Sequence, residues 1–301
     1  MEHQIARNRR RSTLLVIAFL AVWAVAGALI GLLAGSGSGA AGGAVIAVIV
    51  ALLVIAWSLL FGRGTVLALA GAVPADPNRF QELHHVVEAL AIGDNVPKPE
   101  VYVVDDPSPN AFATGFSPQH SAVTVTTGLL EMMNREELEG VLSHELSHVR
   151  NHDTRLLLIV ATMVGFAAML ASFIWSSMWR VRFGRDSGQA AIFLLLLGLV
   201  LTIIGVVVGP LMQLAISRQR ESLADASGVE LTRNPAGLLS ALKKIAVRDK
   251  PLQKFNHATA AMYIDNPLEH HQHWFHGLFD THPPIEERIA TLERMLQVRE
   301  T

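Results

Sequence analysis

Near the middle of the chain lies the segment His144-Glu145-Leu146-Ser147-His148, within a pattern that predicts an α-helix. Residues four positions apart project from the same face of a helix, so the two histidines can bind one metal ion together. Glu145 then lies beside the metal, where its carboxylate can accept a proton from water. Two neutral imidazoles, one carboxylate and an open coordination position are typical of a hydrolytic zinc site. The segment therefore predicts zinc-dependent hydrolysis.

The carboxylates for such a site are found downstream, in the segment Glu221-Ser222-Leu223-Ala224-Asp225. Glu221 is the candidate third ligand. Asp225 lies one helical turn later and faces the same way, so it could accept the second ring N–H of a ligand histidine. The alternatives are an exposed acid at a helix start for Glu221 and a surface salt bridge for Asp225. A motif of two histidines and a glutamate, taken alone, also fits a surface helix with solvated histidines.

The composition indicates a membrane protein. The chain has 301 residues, of which 51% are hydrophobic and 17% are charged. A soluble domain usually carries about 25% charged residues. The net charge of −2, without a basic stripe and interleaved aromatic residues, gives no indication of nucleic-acid binding. The absence of cysteine excludes disulfides and thiolate zinc ligands, and it suits a cytosolic environment.

Four apolar runs are long enough to cross a bilayer, which takes roughly 20 helical residues. They cover residues 13–35, 41–62, 156–179 and 191–214. Arginines precede the first run and Arg63 follows the second, so the positive-inside rule predicts a hairpin with both ends in the cytoplasm. A cleaved signal peptide is the alternative for the first run, but its core is too long and a second run follows at once.

The second pair of runs brings two rules into conflict. Arg180, Arg182 and Arg185 lie between these runs, on the side that should be external. The histidine motif precedes the pair, however, and Glu221 follows it. If both bind one metal ion, the chain must cross the membrane an even number of times between them. We give the metal argument more weight, and a shallow or re-entrant hairpin is the alternative.

Glycines in the first run indicate close helix packing. Gly27, Gly31 and Gly35 repeat at four-residue spacing, which lets two helix backbones approach each other. We favour packing within one molecule over dimerisation.

The predicted fold is a mainly α integral membrane protein with four transmembrane helices and a zincin-like α+β catalytic domain that contains a small β-sheet. Its predicted parts are an N-terminal transmembrane hairpin (1–63), the first part of the catalytic domain (64–155), a second membrane hairpin (156–214) and the second part of the catalytic domain (215–301).

Local patterns predict elements within the catalytic domain. Alternating side chains at 100–105 and 121–127 indicate short strands. Asn134 with Glu137 resembles a capping box at the start of the motif helix. Three further helices are predicted to start at prolines: Pro77 (through Ala91), Pro235 and Pro284.

Asn110 and Ala111 are candidate substrate-binding residues. They precede the strand around 123–126, and a strand edge above a zinc helix can bind an extended peptide through main-chain hydrogen bonds. Asn110 could hold the backbone of such a peptide. The alternative for Asn110 is ordinary turn chemistry.

The C-terminal region supplies two further candidates. His282, before a predicted helix, could donate to the oxyanion of a tetrahedral intermediate, and Arg288 could pair with an acid of the site. A capping or core histidine is the alternative for His282. The histidine-rich stretch from His270 to His276 is interpreted as a loop against the membrane interface rather than a second metal site, because no carboxylate pattern accompanies it.

In their order and spacing, these motifs resemble the HtpX family of membrane-bound zinc endopeptidases, relatives of the CaaX prenyl proteases. The resemblance covers nearly the whole chain. It rests on the two hydrophobic hairpins and on Asn110-Ala111-Phe112, the histidine motif with Asn151 and Asp153, Ser217 to Asp225, and Thr281-His282-Pro283-Pro284 with Arg288.

The resemblance implies that His144, His148 and Glu221 bind zinc, one ion per chain, and that Glu145 is the general base. It also implies that His282 and Arg288 serve the transition state or orient the ligand acid. The expected role is quality control of misfolded or damaged membrane proteins under stress, overlapping in function with an ATP-dependent membrane protease. The expected location is the bacterial inner membrane, with multiple spans and with the N-terminus and catalytic domain in the cytoplasm. The expected partners are polypeptide substrates and the lipid bilayer, without nucleic acid.

Two other function classes fit parts of the pattern. One is a prenyl-protein protease, whose known relatives enclose a chamber with more spans than the four counted here. The other is a zinc-binding membrane scaffold without activity. Glu145 argues against the scaffold, because a purely structural zinc site does not require it.

Overall fold

The computed structural model describes residues 2–33, 37–180, 194–203, 218–247, 263–264 and 285–300. The chain divides into two compact units. The helical unit comprises Glu2–Gly62 and Ile159–Leu211, and the mixed unit comprises Arg63–Leu158 and Met212–Thr301.

The fold is mostly helical, with one small mixed sheet. The helices are α1 (Glu2–Leu33), α2 (Gly37–Leu69), α3 (Gln81–Gly93), α4 (Thr127–Met132), α5 (Arg135–Arg150), α6 (Asp153–Arg180), α7 (Leu194–Ile203), α8 (Arg218–Thr232), α9 (Pro235–Val247) and α10 (Ile285–Glu300). The strands are β1 (Val73–Pro74), β2 (Glu100–Val104), β3 (Ala111–Gly115) and β4 (Ser121–Thr126).

Helices α1 and α2 of the helical unit pack closely through glycine. A Cβ atom on Gly31 would lie 1.9 Å from the carbonyl oxygen of Gly39, and one on Gly43 would lie 2.1 Å from that of Gly27. Only glycine permits such an approach of two backbones. Gly27 and Gly31 therefore serve packing within one molecule, whereas Gly35 lies outside the described residues.

One helical stretch in the described part of the chain, Gly39–Leu69, is both long and apolar enough to cross a membrane. The other predicted spans contain shorter apolar helices at Val16–Leu32, Gly165–Met178 and Leu194–Ile203. The second predicted span was expected to end at residue 62, but α2 continues through Arg63 to Leu69. Arg182 and Arg185, which conflict with the charge rule, lie outside the described residues.

The sheet of the mixed unit has the strand order β1-β2-β4-β3. Strands β2 and β4 pair in parallel, while β1 and β3 add at the two ends as antiparallel partners. Strands β2 and β4 lie where the alternating pattern predicts them. Strand β3 was not predicted as a strand, because its sequence, Ala111-Phe112-Ala113-Thr114-Gly115, shows none of the usual polar and apolar alternation.

Helix α3 begins later than predicted. Residues 77–79 form a turn in which the Asp76 carboxylate accepts a hydrogen bond from the Asn78 N–H, at 2.8 Å. Aspartate readily forms such local bonds and so competes with helix initiation. The prediction that Pro77 starts the helix is therefore wrong, and the first helical residue is Gln81.

Helix α5 is the centre of the mixed unit. Its N-terminus has the predicted capping box, in which Asn134 and Glu137 each accept from the backbone N–H of the other. The helix packs against α3, α8, α9 and β3. Its contribution to the apolar core consists of Leu138, Val141, Leu142, Leu146 and Val149. Burial on so many sides fixes the orientation of this helix and hence of its polar side chains.

Candidate metal centre

Helix α5 directs His144 and His148 to one point. Both side chains are buried, and their Nε2 atoms lie 3.2 Å apart with the two rings almost perpendicular, at 88°. Glu145 is also buried. Among the described residues, no group forms a hydrogen bond or an ion pair with its carboxylate. Such a carboxylate is costly to bury, which is typical of a functional group.

Helix α8 brings Glu221 to the same point. Its Oε2 atom lies 3.5 Å from His144 Nε2, and its Oε1 atom lies 3.6 Å from His148 Nε2. The approach depends on Gly228, where a Cβ atom would lie 2.8 Å from the Ser143 Oγ atom and 3.1 Å from the His144 backbone nitrogen. Without a side chain at this position, α8 can lie directly against the histidine helix.

The three side chains fit a zinc ion. One ligand atom from each of His144, His148 and Glu221 lies within 4.8 Å of the other two, and all three residues are buried. Tetrahedral ligands at about 2.0–2.2 Å from a zinc ion are separated from one another by roughly 3.3–3.6 Å. The two histidine nitrogens are 3.2 Å apart, just below this range, and Glu221 lies within it, with Oε2 3.5 Å from His144 Nε2 and Oε1 3.6 Å from His148 Nε2. Nitrogen and carboxylate donors are also the set that zinc takes in hydrolytic sites.

Asp225 lies beside the ring of His144, and Arg288 in turn pairs with Asp225. The Asp225 Oδ1 atom lies 2.8 Å from His144 Nδ1, on the side of the ring away from Glu221. Arg288, from α10, donates to both carboxylate oxygens of Asp225, through Nε at 3.0 Å and Nη2 at 2.7 Å. The remaining nitrogen of Arg288, Nη1, is buried and has no hydrogen-bond partner within the described ranges.

The buried carboxylates change the protonation of their neighbours. Burial would raise the pKa of Asp225, but Arg288 and His144 outweigh it and hold that pKa well below its usual value. Burial would lower the pKa of His148, yet the carboxylates of Glu221 and Asp153 raise it well above its usual value. The metal-free site therefore favours protonated histidine, and a metal ion must displace that proton to bind.

Asp153 is a member of the site that the sequence analysis did not assign. Its Oδ2 atom lies 3.1 Å from His148 Nδ1. The residue belongs to the motif segment quoted above, but its role depends on the turn between α5 and α6. His152 in that turn has a left-handed backbone, with φ of 58°. A carboxylate five residues after a ligand histidine, just past a helix end, is the signal that could have identified it.

Asn110 and Ala111 lie where the end strand β3 begins. The Asn110 side-chain oxygen accepts from the Ala111 N–H at 3.0 Å, and the Ala111 carbonyl accepts from the Ile264 N–H at 2.9 Å. Both main-chain groups of Ala111 are therefore engaged within the chain. The Tyr263 ring packs edge-on against Phe112, with centroids 4.8 Å apart. The role of Asn110 and Ala111 in substrate binding stays a prediction.

The remaining candidates lie outside the described residues. These are His282, Pro284 and the histidine-rich stretch from His270 to His276. The role of His282 as an oxyanion donor is therefore still a prediction.

Comparison with known proteins identifies the family. The model of peptidase family M48 matches residues 77–296. The chain is 49% identical over 233 residues to a protease HtpX homolog of Caldanaerobacter subterraneus subsp. tengcongensis, covering 76% of this chain and 77% of the relative. It is 42% identical over 299 residues to a protease HtpX homolog of Lactobacillus helveticus, covering 97% of this chain and 99% of the relative.

Among solved structures, the crystal structure of S. mikatae Ste24p is similar at a TM-score of 0.46 and 20% identity, over 81% of this chain and 57% of that protein. The family match spans both halves of the metal centre, and the HtpX relatives extend over most of the chain. The chain therefore belongs to peptidase family M48, and within that family to the HtpX group of zinc metalloproteases.

Proposed function

We propose that this protein is a multi-pass membrane endopeptidase with one zinc ion per chain, bound by His144, His148 and Glu221. The observation that carries the proposal is the convergence of three buried ligand atoms within 4.8 Å. When bound there, zinc lowers the pKa of a water molecule to about 7 and polarises the substrate carbonyl.

Glu145 is the proposed general base. It neighbours His144 on α5, and its carboxylate is buried without an ion-pair or hydrogen-bond partner among the described residues. A carboxylate in that state can accept a proton from the attacking water and return it to the leaving amine. Asp225, clamped by Arg288, is proposed to hold His144 in the tautomer that presents Nε2. His282 is proposed to donate to the oxyanion.

The substrate is proposed to bind as an extended strand at the edge of β3, beside Asn110. Because Ile264 engages the Ala111 carbonyl, a bound peptide must either displace this hydrogen bond or pair farther along the strand. Either case predicts that Asn110→Ala raises KM more than it lowers kcat. Kinetics on one peptide substrate would separate the two parameters.

The proposed setting is the bacterial inner membrane, with four spans and with the N-terminus and the mixed unit in the cytoplasm. The proposed substrates are misfolded or damaged membrane proteins, and the proposed role overlaps with that of an ATP-dependent membrane protease. The apolar helix Gly39–Leu69 supports a membrane location.

The chain has no cysteine, so a single introduced cysteine reports the side of the membrane on which it lies without background labelling. We expect Asn78→Cys to react with reagents only from the cytoplasmic side and Ser38→Cys only from outside.

The test of activity uses protein purified in detergent without metal and then given zinc. Unmodified protein and Glu145→Gln are each incubated with casein and with a misfolded membrane protein. We expect zinc-dependent cleavage by the unmodified protein alone, with equal zinc content in both. Loss of general acid–base catalysis typically costs about 10²–10⁴-fold in rate. If both bind zinc and neither cleaves any substrate, lipidated ones included, the peptidase proposal is wrong.

Glu221→Gln should lose zinc affinity, and unchanged affinity would remove Glu221 from the ligand set.

A further inference from the structure

Each histidine of the metal centre has an aspartate beside one ring nitrogen and Glu221 beside the other. In each ring Nδ1 faces an aspartate: Asp225 for His144, at 2.8 Å, and Asp153 for His148, at 3.1 Å. In each ring Nε2 faces Glu221. The two carboxylates come from different helices, α8 and α6. His144 Nδ1 also has the Arg288 Nη2 atom at 3.2 Å, and this atom donates to Asp225 as well.

This geometry has a definite chemical consequence for a neutral imidazole. Such a ring carries one N–H, and the other nitrogen offers a lone pair. A carboxylate at Nδ1 keeps the proton there, so that Nε2 is free to bind a metal ion. For His148, the Asp153 carboxylate lies at hydrogen-bonding distance from Nδ1.

The backbone around Asp153 is shaped for this contact. Helix α5 ends at Arg150, and the Asn151 N–H donates to the Ser147 carbonyl at 3.0 Å. The left-handed conformation of His152 then turns the chain sharply, and α6 begins at Asp153. A left-handed backbone is uncommon for a residue other than glycine. The turn brings a carboxylate back to a ring only five residues earlier in the sequence.

We infer that Asp153 is the positioning residue of His148, as Asp225 is of His144, and that zinc affinity depends on both carboxylates. The inference rests on the proposed zinc site. The alternative is that Asp153 only stabilises the start of α6, as an acid in the first turn of a helix does. The two roles predict different effects on zinc affinity when the carboxylate is removed.

Asp153→Ser separates the two roles. Serine removes the first-turn charge, which should lower stability only slightly, and its side chain is too short to reach the His148 ring. If Asp153 positions His148, zinc affinity should fall about 10–100-fold, as it does when the outer carboxylate of a zinc ligand is removed. If Asp153 serves only α6, zinc affinity should be unchanged. Competition with a chelator in detergent measures this affinity without any activity assay.

An NMR signal adds a measurement that a change in the stability of α6 alone would not affect. In zinc-loaded protein labelled with ¹⁵N-histidine, a ring N–H that donates to a carboxylate is shielded from solvent exchange and resonates at low field. We expect two such Nδ1–H signals from the centre, and only the His148 signal should disappear in Asp153→Ser. Persistence of that signal would overturn the inference.

The matched control is Asp94→Asn. The Asp94 side chain is about as buried as that of Asp153, and it pairs with Arg150 at the end of α5, the helix that carries His148. It contacts neither histidine. This substitution should lower stability while leaving zinc affinity unchanged. If Asp94→Asn weakens zinc binding as much as Asp153→Ser does, the effect is general softening of α5 and the inference fails.

Two further variants keep the result decisive. Should Asp153→Ser fold poorly, the same substitution is made together with His152→Gly, because glycine adopts the left-handed backbone without strain.

Glu221→Gln tests the proposed zinc site itself in parallel. If Glu221→Gln leaves zinc affinity unchanged, the proposed zinc site itself is wrong. If Glu221→Gln loses zinc but Asp153→Ser does not, the site is right and only the inference about Asp153 fails.

Discussion

The two units of this protein differ in which side chains they expose and which they bury. In the helical unit, α2 exposes large apolar residues, such as Leu53 at 65% and Leu60 at 75%, while glycines lie at its contact with α1. In the mixed unit, large apolar residues form the core, and the buried set also includes charged and polar groups of the metal centre, such as Glu145, Asp225 and Arg288. We attribute this contrast to the different solvents that surround the two units.

Different driving forces explain this contrast. In water, burial of apolar surface drives folding, and a buried charge is retained only where it is paired or has a function. In lipid, the surrounding chains are as apolar as leucine, so helices associate through close packing of small residues. A single rule of burial cannot therefore be applied along the chain.

The largest effect should come from breaking the buried ion pair of the mixed unit. Arg288→Leu leaves the Asp225 carboxylate buried, with His144 as its one remaining partner among the described residues, because Arg288 supplies two of its hydrogen bonds. Removing one member of a buried pair typically costs about 3–5 kcal/mol of unfolding free energy. Pulse proteolysis in detergent would measure it.

The control for this prediction removes both charges. Arg288→Leu combined with Asp225→Leu should recover much of the lost stability, since apolar replacements of a buried pair are often neutral. The double variant should still bind zinc weakly, because His144 loses its carboxylate. If Arg288→Leu alone costs less than about 1 kcal/mol, the pair resembles an exposed salt bridge and the contrast between units weakens.

The next effect tests whether exposed apolar residues mean the same thing in both units. Leu53→Lys places a charge near the middle of α2, where insertion into a membrane should become less favourable by about 2.5–3.5 kcal/mol. Val247→Lys is the matched control, because Val247 is 86% exposed but belongs to the mixed unit. There a surface substitution should change stability by no more than about 0.5 kcal/mol.

An insertion reporter based on glycosylation would measure the first variant, and unfolding in detergent would measure the second. Equal tolerance of lysine at both positions would mean that the exposed face of α2 meets water. The membrane assignment of the helical unit would then be wrong.

A smaller effect concerns the glycine contact between α1 and α2. Gly43→Ala would bring a Cβ atom to 2.1 Å from the Gly27 carbonyl oxygen, whereas a Cβ atom on the adjacent Gly42 meets nothing within 4 Å. Overpacking of this kind costs about 1–3 kcal/mol. Gly42→Ala should be neutral or stabilising by up to about 1 kcal/mol, from helix propensity alone. Unfolding in increasing dodecyl sulfate, followed by circular dichroism, would compare the pair.

If the two alanine variants behave alike, the close contact between α1 and α2 does not determine the stability of the hairpin. The four-residue glycine spacing would then be available for another purpose, such as dimerisation.

Much of the metal centre could be predicted because helical periodicity is local. The spacing of His144 and His148 places both rings on one face, and Asp225 follows Glu221 by one turn for the same reason. The capping box was predictable on similar grounds, since Asn134 and Glu137 interact across one turn.

Features that depend on distant or unusual backbone could not be predicted in this way. Strand β3 shows no alternation of polar and apolar residues, and its place in the sheet comes from pairing with β4. The contact of Ile264 with Ala111 joins segments far apart in sequence, so no periodic pattern can indicate it. The contact of Asp153 with His148 requires the left-handed backbone of His152, which histidine does not signal as glycine would.

The smallest predicted effect separates the stability of α5 from the chemistry that it carries. Asn134→Ala removes the acceptor for the Glu137 N–H at the start of this helix. Loss of such a cap costs about 0.5–2 kcal/mol. Asn134→Ser, which retains a capping oxygen, is the control and should stay close to the unmodified protein. Unfolding in detergent would measure both variants.

Zinc affinity should not change in Asn134→Ala, because the cap lies more than two helical turns before His144 and α5 is buried along its length by α3, α8 and α9. A fall in zinc affinity that follows the loss of stability would have a different meaning. The metal centre would then depend on the integrity of the whole helix rather than on its immediate carboxylate supports, and the effects of Asp153→Ser and Arg288→Leu would have to be corrected for it.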